Sequence, residues 1–359
     1  MNTLIAQLIR PEIRALNAYH VPAADGFIKL DAMENPYSLP EPLAAEWREQ
    51  LRGVEFNRYP DPTAQQLQRA LREAMAIPTE MELLLGNGSD ELIQMLALAV
   101  AAPGRTILSV EPSFVMYRMI GLFAGMNYVG VPLNAEDFSI DVPAVLAAIE
   151  RTQPALIYLA YPNNPTGNQF AVADMEQIIE AAPGLVIIDE AYSPFTDASF
   201  LNAVGKWPNV LVMRTVSKMG LAGLRLGYLV GAIEWLREID KVRLPYNINV
   251  LTQLSATFAL QHKAVFDAQT QAIRAEREQL FMALNQLSAL QVYPSEANFI
   301  LVRTPPEQAT RMFSELKARR ILIKNLHGAH PLLSDCLRLT VGLPEENAAL
   351  LAALTEVVN

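Results

Sequence analysis

Short apolar runs recur along the middle of the chain, at residues 83–85, 107–110, 155–160, 185–188, 210–213 and 226–230, and they constrain the fold more than any other feature. Runs of this length without polar alternation read as strands covered on both faces. Helical stretches at 113–123, 141–151 and 173–182 separate several of them. Buried strands spaced by helices predict an α/β chain with a large, doubly wound, mostly parallel sheet. From residue 249 to 287 a long, broken helical tract leads out of that sheet. Strand-like segments at 298–302, 321–323 and 337–341, helical 307–319 and a final helix then predict a smaller α+β unit. The expected organisation is an N-terminal arm with part of the small domain (1–57), a large domain (58–261) and a small C-terminal domain (262–359).

In such sheets the chemistry gathers in the loops beyond the strands' carboxyl ends, and four of those loops carry unusual residues. Gly86-Asn87-Gly88-Ser89-Asp90 sits between a strand and a helix. Its glycines allow close backbone approach and the N–H groups at the helix start attract phosphate, although capping by Ser89 or Asp90 explains the same residues. Tyr161-Pro162-Asn163-Asn164-Pro165-Thr166-Gly167 is a rigid loop that presents the Asn164 amide. Asp189-Glu190-Ala191-Tyr192 ends a buried strand with a carboxylate that needs a positive partner, either a protonated ring nitrogen or an arginine.

The fourth loop is Thr215-Val216-Ser217-Lys218-Met219-Gly220-Leu221-Ala222-Gly223-Leu224-Arg225. Small residues flank Lys218, so a planar group can lie against the backbone, and a desolvated ammonium there sheds its proton more readily. Such a lysine can form a Schiff base with a carbonyl, though an ordinary turn lysine has the same neighbours.

Net charge is −10, which argues against nucleic acid or an anionic membrane as partner. Any anionic ligand must then be held by local arginines. The lone cysteine, Cys336, excludes an internal disulfide framework and suits a reducing compartment. Residues 4–9 are too short for a signal peptide and are interrupted by Arg10-Pro11, so a cytoplasmic location is expected. No metal site is expected.

In that chain order, the four loops resemble those of the fold-type I pyridoxal-phosphate aminotransferases, over nearly the whole chain. The arm Leu16-Asn17-Ala18-Tyr19, the loop Asn57-Arg58-Tyr59-Pro60, Pro245-Tyr246-Asn247 and Cys336-Leu337-Arg338-Leu339-Thr340-Val341-Gly342 are similar to the histidinol-phosphate aminotransferase family in particular. The resemblance implies pyridoxal phosphate as cofactor, with Lys218 as the Schiff-base lysine and then the base. It implies Asp189 at the pyridine nitrogen and Asn164 and Tyr192 at the ring oxygen. Ser89, Asp90, Ser217 and Arg225 would hold the phosphate, with Phe114 on the ring face. Tyr59 would reach the cofactor phosphate of a second subunit, making a homodimer with shared sites. Tyr19, Asn35, Arg338 and Lys324 would bind substrate, with Arg338 clamping carboxylate or phosphate.

Three departures from the family stand out. Arg225 lies seven residues after Lys218, where many relatives have eight. Lys324 replaces a second substrate arginine of some relatives, and Phe114 lacks the phenol some have there. The implied reaction exchanges an amino group between histidinol phosphate and 2-oxoglutarate in histidine biosynthesis. Alternatives are an aromatic amino-acid aminotransferase, a threonine-phosphate decarboxylase-like enzyme, or a non-catalytic pyridoxal-phosphate sensor.

Overall fold

The structure is a computed structural model that describes residues 3–18 and 23–358. Seven strands form one sheet in the order Glu82–Gly86, Gly227–Gly231, Val210–Thr215, Leu185–Asp189, Leu156–Ala160, Thr106–Glu111 and Asn127–Pro132. Gly227–Gly231 runs antiparallel to both its neighbours, and every other pairing is parallel. Side chains alternate between the faces with the strand period of two. Val186 and Ile188 pack with Ile157, Leu159 and Val212 on one face. Leu185 and Ile187 pack with Leu156, Tyr158, Leu211 and Met213 on the other. Helices cover both faces, which is why these runs are apolar throughout. Each leucine or isoleucine so buried contributes roughly 1.5–3 kcal/mol over an exposed one.

One strand of the seven-stranded sheet has no counterpart among the sequence expectations. Asn127–Pro132 pairs with Thr106–Glu111 at the sheet edge, and of its side chains only Val131 is fully buried. An edge strand needs little apolar patterning, and its asparagine, glycine and proline mask it. The N-terminal arm holds two short helices, Thr3–Leu8 and Pro11–Arg14.

The helical tract consists of Val250–Gln261 and Lys263–Leu284, broken at His262. Beyond it, Lys324–Asn325, Cys336–Thr340, Phe299–Arg303 and Gln291–Val292 form an antiparallel sheet in that order. Ala309–Ala318, Pro344–Val358 and the long helix pack on it around Phe299, Leu316, Leu339 and Leu354. Ile28–Lys29 pairs in parallel with Ile321–Leu322, so the chain's beginning is stitched into this second lobe. Tyr192 and Phe195, just past the Leu185–Asp189 strand, belong to the same apolar cluster. The two lobes therefore meet where that strand ends.

Strand register decides which loops become neighbours. Ala160 lies opposite Asp189, and Asp189 opposite Met213. Thr215 lies opposite Gly227, which in turn faces Gly86. A Cβ on Gly227 would stand 2.8 Å from the Gly88 carbonyl carbon and the Ser89 nitrogen. Glycine at 227 thus lets the Gly88-Ser89 turn lie directly on the strand.

Candidate active site

At this edge the structure opens a cavity of about 140 Å³. Nine of the residues singled out from sequence line it together: Ser89, Asp90, Phe114, Asn164, Asp189, Tyr192, Ser217, Lys218 and Arg225. They come from separate loops that only the sheet brings side by side.

Lys218 sits on a single turn, Ser217–Met219, directly after Val210–Thr215. Its Nζ lies 3.4 Å from the Ala32 carbonyl oxygen and 5.6 Å from the centre of the Tyr192 ring. Part of the side chain meets solvent in the cavity, while the ammonium itself is crowded by protein. Desolvation, reinforced by the Arg338 guanidinium, lowers its pKa to about 8. A useful fraction of the amine is then neutral near physiological pH, as a nucleophile or base requires.

Asp189 ends its strand only 4% exposed. Burial raises its pKa to about 6 against the pull of two hydrogen bonds. Tyr117 Oη donates to Oδ2 at 2.6 Å, and the Ala191 N–H donates to Oδ1 at 3.1 Å. Neither donor is a cation, so this buried acid suits a ligand that brings a positive charge.

Anion-binding features lie on another side of the cavity. The Ser89–Val100 helix starts there without a side-chain cap. Gly88, at φ +79°, closes up to Arg225, where a Cβ would stand 2.6 Å from Nη2. Arg225 pairs with Asp90 at 3.3 Å, so Asp90 can serve an anion only through its backbone N–H. The Thr215 and Ser217 hydroxyls lie 2.8 Å apart alongside. A helix start plus a guanidinium is a phosphate cradle. Asn164 Oδ1 accepts from Arg338 Nη1 at 2.6 Å, which leaves the Asn164 NH₂ as the donor for the cavity. An electrophile at Lys218, a cation at Asp189 and an anion at Arg225 together describe one flat heterocycle bearing a phosphate.

The remaining candidates lie elsewhere. Arg338 is buried beside the cavity, and its Nη2 donates to the Asp31 carbonyl oxygen at 3.0 Å. Lys324 is opposite it in strand register but exposed. Asn35 is outside the cavity, with its amide fully engaged. Nδ2 donates to the Met219 carbonyl oxygen and Gln269 Oε1, and Oδ1 accepts from the Tyr37 N–H. It therefore braces the Lys218 turn against the long helix. Tyr59 is 80% exposed and stacks on Tyr246 at 4.4 Å, away from its own chain's cavity. Tyr19 lies outside the described residues. Tyr117, which sequence reasoning missed, lines the cavity too. The one available signal was its spacing from Phe114, three residues along the same helical segment.

Both shifted groups cost the ligand-free fold stability. Lys218, with its pKa lowered, contributes stability only above about pH 10.5, and this is lost as pH falls through about 8. Asp189, with its pKa raised, contributes below about pH 3.8, and this is lost as pH rises through about 6. Between about 6 and 8 both penalties stand in full. Lys218→Met is therefore expected to stabilise the ligand-free protein by about 2 kcal/mol at pH 7, after discounting for solvent in the cavity. The gain should shrink toward pH 10. Urea unfolding at both pH values checks this, and a gain of equal size at each would contradict it.

The profile of the family "Aminotransferase class I and II" matches residues 25–354. The histidinol-phosphate aminotransferase of Chromobacterium violaceum is 56% identical over 99% of both chains. Histidinol-phosphate aminotransferase 2 of Nitrosococcus oceani is 56% identical over 98% of this chain and 97% of its own. In structure, the histidinol-phosphate aminotransferase from Sinorhizobium meliloti in complex with pyridoxal-5'-phosphate superposes with a TM-score of 0.86 at 24% identity, covering 98% of each chain. A profile match over most of the length, with relatives this similar from end to end, means that the chain belongs to the class I and II aminotransferase family, on the branch that holds the histidinol-phosphate aminotransferases.

Proposed function

We propose that this chain is a pyridoxal-phosphate-dependent aminotransferase that transfers the amino group of L-histidinol phosphate to 2-oxoglutarate, giving imidazole acetol phosphate and glutamate in histidine biosynthesis. One observation carries the reading: a lysine with a lowered pKa and a buried acid with no cationic partner among the described residues line the same cavity, beside an uncapped helix start. The names of the relatives supply the substrate.

When bound, pyridoxal phosphate supplies an aldehyde and an electron-withdrawing ring. Asp189 would hold the proton on its ring nitrogen, and Asn164 and Tyr192 would donate to its ring oxygen. Arg225, Ser217 and the backbone N–H groups of Ser89 and Asp90 would hold its phosphate, and Phe114 would cover its face. Lys218, partly neutral at pH 7, takes and returns the proton at the substrate carbon. Arg338 presents a planar fork that fits a carboxylate and a phosphate alike. The enzyme acts as a homodimer on this reading. Its support is Tyr59, held on Tyr246 away from its own cavity and close in sequence to exposed Phe56. The buried free thiol of Cys336 is in keeping with a cytoplasmic enzyme.

The purified protein is expected to turn over histidinol phosphate with 2-oxoglutarate faster than phenylalanine, and not to decarboxylate threonine phosphate. No turnover of histidinol phosphate would sink the substrate assignment. Borohydride treatment followed by peptide mapping tests the cofactor separately: the label should sit on Lys218.

A further inference from the structure

Tyr117 belongs to none of the loops that carry the cofactor reading, yet it makes the shortest side-chain contact to the acid at their centre. It projects from the Met116–Phe123 helix, is 0% exposed, and lies 72 residues before Asp189 in sequence. We propose that Tyr117 is the positioning residue for Asp189, its phenol orienting the carboxylate so that it can grip the ring nitrogen of pyridoxal phosphate. This inference rests on the reading of the cavity as a pyridoxal phosphate site.

The contacts divide the carboxylate between two donors. Oδ2 accepts from Tyr117, and Oδ1 accepts from the Ala191 N–H. An ionised carboxylate accepts about four hydrogen bonds, so each oxygen keeps a lone pair for a ring N–H. Both bonds also favour the charged form of an acid that burial alone would neutralise. A neutral carboxyl would not hold a pyridinium proton. The titratable and charged groups around Asp189 are Tyr117, Tyr158, Tyr192, Asp90, Glu190 and the cations lining the cavity, Lys218 and Arg225. Of the three tyrosines, only Tyr117 is hydrogen-bonded to the acid among the described residues.

The ring is held as firmly as the hydroxyl. Tyr117 stacks on Tyr158 with centroids 4.5 Å apart and planes 9° from parallel. Phe114 meets it edge-on at 5.5 Å. The Tyr158 hydroxyl is equally buried and, among the described residues, has no hydrogen-bond partner. Burial in this aromatic layer therefore does not by itself bring a phenol to the acid. The segment is anchored as well: Ser113 Oγ donates to Asn163 Oδ1 at 2.8 Å, and Asn163 Nδ2 donates to the Pro112 carbonyl oxygen at 2.9 Å. One stretch thus delivers Phe114 to the ring face and Tyr117 to the acid, tied to the loop that bears Asn164.

Tyr117→Phe tests the proposal while keeping the ring. Pyridoxal phosphate affinity, measured by equilibrium dialysis across pH, is expected to fall about tenfold at pH 7, with its acid limb displaced upward by about one pH unit. In an Asp189→Asn background the same substitution should cost nothing further, since the acid it acts on is gone. Tyr158→Phe should leave affinity unchanged, and Tyr117→His, which keeps a donor on a ring, should recover part of the loss. Wild-type affinity and acid limb in Tyr117→Phe would overturn the proposal. So would an undiminished loss in the Asp189→Asn background, or the same loss in Tyr158→Phe, because either would trace the effect to packing. Should Tyr117→Phe not fold, a Tyr117→His protein with the wild-type acid limb supports the proposal, and one that binds like Asp189→Asn overturns it. If the wild-type protein takes up no cofactor on Lys218, the reading of the cavity fails instead, and borohydride mapping of the wild type separates the two outcomes.

Discussion

Lys218→Ala is expected to lower transamination by about 10⁴-fold or more, because one substitution removes both a nucleophile and a proton carrier. The geometry explains why no neighbour replaces it. Among the described residues Lys218 is the only lysine lining the cavity, and Arg225 cannot give up its proton at any working pH. The Tyr192 phenol has its pKa raised beyond the useful range, chiefly by burial. Cofactor binding should weaken by the lost covalent imine but persist, since Asp189, Asn164, Ser217 and Arg225 are untouched. Single-turnover kinetics with histidinol phosphate, alongside equilibrium dialysis of pyridoxal phosphate, measure the two quantities separately. A rate near wild type would remove Lys218 from the mechanism. Complete loss of cofactor binding would mean that the remaining contacts of the cavity do not hold the cofactor on their own.

What could be read from the sequence follows the range of the interactions. The central strands were legible because burial on both faces writes an unbroken apolar run, as in Leu185–Asp189. Asn127–Pro132 was not, because an edge strand is shaped by its neighbour's hydrogen bonds more than by its own side chains. The loop residues of the cavity stood out because glycine, proline, a lone lysine and a terminal carboxylate are conspicuous beyond apolar runs. Tyr117 carried no such mark. An aromatic on an amphipathic helix reads as core, and only packing that helix over the sheet brings its hydroxyl to Asp189. Asn35 shows the converse. It sits in the conspicuous Glu34-Asn35-Pro36, yet its amide is spent on Met219, Gln269 and Tyr37. A polar residue beside a motif is as readily a brace as a ligand, and its hydrogen bonds decide which.

Arg338→Ala is expected to reduce kcat/KM by roughly 10²–10³-fold for histidinol phosphate and 2-oxoglutarate alike, the scale of removing one partner from a buried, charged contact. The guanidinium is only 7% exposed and lies over the Phe299 ring at 5.3 Å. It donates to Asn164 Oδ1 and to the Asp31 carbonyl oxygen, which fixes its planar fork beside the cavity. Its positive charge acts on Lys218, whose pKa it helps to lower. Its loss must raise that pKa, leaving less neutral amine at pH 7 and moving the pH dependence of the reaction to higher pH. Arg338→Lys separates the two roles. A lysine restores the positive charge but not the planar fork. It should return the pH profile toward wild type while KM for both substrates stays high. If Arg338→Lys instead restored KM along with the profile, Arg338 would be acting as a point charge near Lys218, and the anion clamp would have to be sought on another side chain.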